Sequence, residues 1–251
     1  MKTGTLTWGG KNSLADFGLY VSGPGVHNAA EEDVTVFSIP GRNGDLIVSN
    51  NRYKNIEVSY PAFIPRSFSS MEQKIRSWLR KTPQYLDLTD TYDTTHFRKA
   101  RAVGVLEFEP VRSDAANVEI IFDCMPQRFL TSGDVDATFS ALGSAHVWGG
   151  SNPTGFVAKP LVKLSGIGAG LEVEFITDTF GTVTLTATTS YADTVAIDCE
   201  TQDVYDLTNG TNLNDLFTFS GDFPAFGAGA NRIIVTGTHS SALVKPRWWE
   251  L

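Results

Sequence analysis

Apolar and polar residues alternate at every second position through much of this chain, the pattern of strands with one buried face. Between Asn55 and Ile64, Ile56, Val58 and Tyr60 fall on one side, and Glu57 and Ser59 on the other. Thr182 to Thr188 alternates without a break, which places apolar residues inward and threonines outward. Strands are also expected at Thr3–Trp8, Phe17–Val21, Val34–Ile39, Leu46–Val48, Tyr85–Leu88, Phe97–Phe108 and Val118–Cys124. The second half adds Phe156–Leu164, Leu171–Ile176, Thr194–Cys199 and Asn231–Thr238. A single stretch has helical period: Met71, Ile75, Trp78 and Leu79 make one apolar stripe. Ser69 and Glu72 have the spacing of a capping box, Arg80 and Lys81 suit the negative C-terminal end, and Pro83 stops the helix. The expected fold is mainly β, with one helix packed on a β-rich first half and a β-sandwich in the second.

The sharpest interruption of this pattern is Ser38-Ile39-Pro40-Gly41-Arg42-Asn43-Gly44-Asp45-Leu46. Pro40 fixes φ, and Gly41 and Gly44 allow the positive φ of a tight reversal between two apolar segments. Arg42 and Asp45 put opposite charges near its tip. Taken alone, it is a hairpin connection. Gly166-Ile167-Gly168-Ala169-Gly170 resembles half of a dinucleotide loop, but a strand pattern follows instead of a helix to hold a phosphate, so it too reads as a hairpin turn.

The 251 residues suffice for one large domain or two ordinary ones. Charge separates the halves: residues 1–130 hold 15 basic and 15 acidic residues, the remainder 5 and 13. With the stretch Pro126 to Gly133 read as a linker, this gives domains at 1–130 and 131–251. The net charge of −8 argues against nucleic-acid binding as the main activity. No secretion signal and no apolar run long enough to span a membrane is apparent. Cys124 and Cys199 are expected to be buried thiols of a cytoplasmically made protein.

Catalytic and metal-binding patterns are weak. His27, His96, His146 and His239 lack ligand spacing, and there is no nucleophile elbow. Asp87, Asp90 and Asp93 lack the glycine and terminal glutamate of a calcium loop and read as a solvated turn. No carboxylate pair stands out for glycoside hydrolysis. Trp148, Trp248 and Trp249 are suited either to packing or to stacking on sugars, with Trp148 the one sugar-stacking candidate. No catalytic, cofactor or metal site is expected.

The segment Phe223-Pro224-Ala225-Phe226-Gly227 through Asn231-Arg232-Ile233-Ile234-Val235-Thr236-Gly237, followed by Lys245-Pro246-Arg247-Trp248-Trp249-Glu250-Leu251, resembles the C-terminus of distal tail proteins of long, non-contractile-tailed bacteriophages. Ile39 to Leu46 resembles their N-terminal turn. Between the two, the helix with Trp78, Tyr85-Leu86-Asp87-Leu88, Asn152 through Lys159-Pro160-Leu161-Val162, and Val195 to Glu200 fall in that family's order. The resemblance implies a structural protein of the virion, at the distal end of the tail. Its N-terminal β-rich domain would build a hexameric ring, single or stacked, followed by a galectin-like β-sandwich. The ring would join the major tail tube protein to the tail-associated lysin or fibre protein, with receptor-binding proteins at the edge in some members. Genome DNA would pass through its lumen without specific binding. Gly41, Arg42, Gly44 and Asp45 would then be assembly contacts. The alternatives are a carbohydrate-binding β-sandwich that uses Trp148 on host saccharide, and a tail-associated hydrolase.

Overall fold

Most segments with period-two patterning are strands in a computed structural model, which describes residues 3–23, 29–112 and 114–251. His27 lies outside these residues, as do Pro24 and Gly25 of the glycine- and proline-rich stretch that follows Val21 in the sequence. The chain divides into two units, Met1–Arg128 with Leu251, and Phe129–Glu250.

The first unit is built on a sheet in the order Thr3–Gly4, Tyr20–Ser22, Ile56–Ile64, Ala115–Leu130, His96–Val103, Leu86–Asp90, Leu6–Trp8, Lys11–Asn12. One sheet face supplies Val58, Tyr60, Ile120 and Phe122 to a core centred on Trp8, which is almost fully buried. The Trp8 indole donates to the Ala100 carbonyl at 2.8 Å, and the Trp78 indole donates to the Trp8 carbonyl at 3.1 Å. Each N–H therefore has an acceptor, which a buried indole requires.

Two expectations fail near the N-terminus, each for its own reason. Thr3 to Trp8 is two short strands, Thr3–Gly4 and Leu6–Trp8, because its two ends join different neighbours. Phe17 to Val21 is no single strand either. Ser13–Phe17 forms a helical turn, α1, whose first N–H groups are capped by Asn12 and whose end is Gly18 at φ 65°. Phe17 then stacks on Trp78 at 4.6 Å. The local cap and the left-handed glycine prevail over the apolar alternation.

The predicted helix is present as α2, Phe68–Arg80, with Ile75 and Leu79 buried and Met71 and Trp78 packed at the edge of the core. The predicted capping box is absent. Ser69 lies inside the first turn, and Glu72 pairs with Arg76 at 2.8 Å. The first turn is held instead by Asp114, whose carboxylate accepts from the Ser67 and Ser69 backbones at 2.7 and 3.1 Å and from the Ser69 hydroxyl at 2.9 Å. These hydrogen bonds, the Ser69 backbone first, hold the Asp114 carboxyl below its ordinary range. A residue distant in sequence thus does the work usually done by the residue next to the helix.

Pro126 to Gly133, read from sequence as a linker, is ordered. It completes the 16-residue strand Ala115–Leu130 and a 3-10 turn, Thr131–Gly133. The second unit has two sheets. One runs Ala137–Thr138, Ser241–Lys245, Leu161–Ile167, Tyr191–Asp198, Asp203–Asp206; the other runs Ser140–Leu142, Ala145–Asn152, Gly229–Thr236, Glu172–Thr177, Gly181–Ala187, Phe217–Phe219. Val162, Leu164 and Ile197 from the first meet Phe175, Leu185 and Ile233 from the second in one core. The Gly166 to Gly170 stretch corrects a further expectation. Leu161–Ile167 and Glu172–Thr177 belong to different sheets, so the glycines make a crossover and not a hairpin. Gly166 has φ +61°, and a Cβ on it would stand 2.8 Å from Ser240 Oγ.

The second unit also contains a nearly buried ion pair. Arg247 donates to both oxygens of Asp198, at 2.6 and 3.0 Å. Burial alone would raise the Asp198 carboxyl, but the hydrogen bonds and charge of Arg247 outweigh it and hold the carboxyl below its ordinary range. Both cysteines are buried free thiols, and burial pushes Cys124 up to about 12.

These arrangements give two expected outcomes. Asp198→Asn leaves the Arg247 guanidinium without its counter-charge and should lower unfolding free energy by about 3 kcal/mol in guanidinium titrations. Because the folded carboxyl titrates below the unfolded one, this contribution is fully present above about pH 3.9 and fades as pH falls, so wild type and variant should converge in acid. At the helix, Asp114→Ala should lower the thermal midpoint more than Glu72→Gln does; a capping box would reverse that order.

Candidate interaction site

Glu32–Phe37 and Leu46–Tyr53 pair only with each other among the described residues, forming a two-stranded ribbon. Its base is polar. Arg52 pairs with Asp33 at 2.6 Å, Lys54 with Glu31 at 3.3 Å, and Ser49 donates to Glu32. The extra length of the second strand is taken up near Asn51, which has φ 55°.

Towards the tip the ribbon becomes apolar. The pairs Val36↔Ile47 and Phe37↔Leu46 follow one another along the ladder, so their side chains emerge on opposite faces. Phe37 is 51% exposed and Ile47 65%, and Val36, Ile39, Leu46 and Val48 are also exposed. Among the described residues of the first unit, neither face of the tip packs on the core. An exposed cluster of this kind marks an interaction surface more often than a tolerated accident.

The turn follows from its sequence. The Arg42 N–H donates to the Ile39 carbonyl at 3.2 Å, with Pro40 and Gly41 between them and Gly41 at φ 82°. This is the type II arrangement, with proline first and a positive-φ glycine second. Gly44 has φ 85°. A Cβ at either glycine would meet nothing within 4 Å, so the requirement lies in the backbone and not in packing. Arg42 and Asp45, close together in the sequence, form no salt bridge with each other, and neither side chain has a hydrogen-bond partner among the described residues. The turn therefore presents two unengaged charges beside an apolar ribbon.

The other predicted positions lie elsewhere. Trp148 is buried and stacks on Phe226 at 5.3 Å, so its ring is enclosed by the second unit's core and presents no face to a saccharide. Trp248 is buried as well, and Trp249 stacks on Phe156 at 4.5 Å. The aspartates at 87, 90 and 93 do not converge on one point. Asp87 pairs with Lys99, Asp90 accepts from Tyr60 at 2.7 Å, and Asp93 pairs with Arg128 at 2.6 Å. Burial would raise Asp93, but hydrogen bonds from Thr95, Arg128 and His96 drive its carboxyl far below the ordinary range. Among the described residues no cluster of three or more histidine, cysteine or carboxylate side chains is placed to hold a metal ion, and no helix is long and apolar enough to cross a membrane. The sequence locates the turn but does not reveal the exposure of the strands beside it. Apolar positions on both faces of an isolated pair are the one signal that could have shown it.

No family model matches the sequence, and no curated protein does. A solved structure matches over almost the whole chain: the Dit protein of SPP1, described as a paradigm of the hub adsorption apparatus in phages that infect Gram-positive bacteria. The two share 14% sequence identity, the alignment covers 97% of this chain and 98% of that one, and the TM-score is 0.67. The protein thus has a mainly β, Dit-like fold.

Proposed function

We propose that this protein is a structural hub of a phage tail tip, which assembles as a hexameric ring between the tail tube and the tail-associated fibre or lysin protein. The observation that carries this reading is the end-to-end likeness of its fold to SPP1 Dit, a hub adsorption protein, with nearly full coverage of both chains. The exposed hairpin supports it independently, since a ribbon that is apolar on both faces needs partners on both sides. In this reading Gly41 and Gly44 shape the loop, Arg42 and Asp45 contact neighbours, and the second unit is a galectin-like sandwich at the periphery. The balance of charge in residues 1–130 suits a lumen through which DNA passes without being held. The second unit's acidity suits an exposed rim. The saccharide alternative loses its stacking residue, because Trp148 is enclosed.

Solution mass together with negative-stain images tests the assembly. The expected result is a six-fold ring, with a mass near six times that of the 27.3 kDa chain or twice that for stacked rings. A monomer at every concentration would remove the proposal. The loop has its own test in the Gly41→Val, Gly44→Val double variant. Valine at positive φ costs about 1–3 kcal/mol per site, a strain that the tip, outside the core, relieves by changing the shape of the turn, so rings should become scarce while the thermal unfolding of both units stays in place. Unaltered rings would show that the shape of the turn is dispensable.

A further inference from the structure

We infer that the hairpin tip of one copy seats on the open face of the main sheet in the next copy. The inference rests on the ring reading and says which surfaces meet. Strands Ile56–Ile64 and Ala115–Leu130 turn one face to the Trp8 core, and their alternate residues point the other way. On that outer face lies a groove of about 770 Å³, with Phe63 and Ile121 in its floor and Val105 at its side. Phe63 is 39% exposed and Val105 76%. The rim is acidic, carrying Glu107, Glu109 and Glu119. Glu119 accepts from Ser59, whereas Glu107 and Glu109 have no ion-pair partner among the described residues.

Three observations identify the occupant as a second copy. Among the described residues of the first unit, exposed large apolar side chains are concentrated in two places. Six lie on the hairpin between Val36 and Val48; the other four, Tyr20, Phe63, Val105 and Val111, lie in the groove or on strands bordering it. Each place alone is an unfavourable exposure, and each is the kind of surface that would cover the other. Of the two unengaged charges at the turn, Arg42 complements Glu107 and Glu109, the two groove carboxylates without an ion-pair partner among the described residues, and Asp45 has to lie on the side turned away from them. Finally, the two patches differ, so their contact is heterologous. A heterologous contact repeats from copy to copy and closes into a ring when the rotation allows. A self-complementary patch would have stopped at a dimer.

The experiment is a charge exchange in the full chain, read by sedimentation velocity and electron microscopy, with circular dichroism to confirm folding. Arg42→Glu alone, and Glu107→Arg with Glu109→Arg alone, should each weaken assembly by about ten-fold or more. Combining all three substitutions should restore rings. If wild type forms rings and the groove variant assembles undiminished, the groove is not the seat and the inference falls while the ring reading stands. Loss in both variants without recovery in the combined one also overturns it. A wild-type chain that never assembles removes both.

Discussion

A two-stranded ribbon has two faces and no interior, so apolar residues on both cannot be hidden by the ribbon itself. Isolated pairs of this kind are marginal in water. Here the base is fastened by ion pairs and hydrogen bonds around Asp33 and Glu32, while the tip displays Phe37 on one side and Ile47 on the other. The first unit offers no internal solution, because Trp8, Phe122 and Trp78 already complete its core. Cover must come from outside that unit. The type II turn at Pro40-Gly41 sets where the ribbon reverses and hence where that demand is placed.

Within each unit, apolar layers supply cohesion and long-range polar contacts supply definition. Asp114 anchors the start of α2, Asp93 gathers Arg128 and His96, and Asp198 receives both arms of Arg247. In each case a carboxylate meets donors brought close by the fold and not by adjacency in sequence alone. Such pairs contribute less net energy than the cores, but an unmatched partner left behind is costly, so they discriminate strongly between correct and shifted packings.

The strands with clean alternation were legible because a pleated ribbon with one buried face writes itself directly into sequence, as at Thr182 to Thr188 and Ile56 to Ile64. Ala145–Asn152 was not, since Gly149 and Gly150 interrupt its pattern and a tryptophan at position 148 suits a ligand-stacking surface as well as a core. The stripe of α2 was readable, but its cap was not, because the donor set is local and the acceptor is not. At the hairpin the turn was plain from Pro40 and Gly41. What sequence could not supply was the absence of a core behind Val36 or Ile47, which depends on where every other strand goes.

The capping of α2 by Asp114 also bears on synthesis. The carboxylate lies 45 residues beyond the Ser69 N–H it accepts from. At roughly 5–20 residues per second, the helix sequence leaves the ribosome some seconds before its cap exists. During that interval the first turn has only water for its N–H groups and the apolar stripe lacks strand Ala115–Leu130 to pack on. The helix can flicker but not persist, since a segment of this length is marginal alone. Lasting order in the first unit therefore begins late, when one turn delivers a cap and the strand that follows it together.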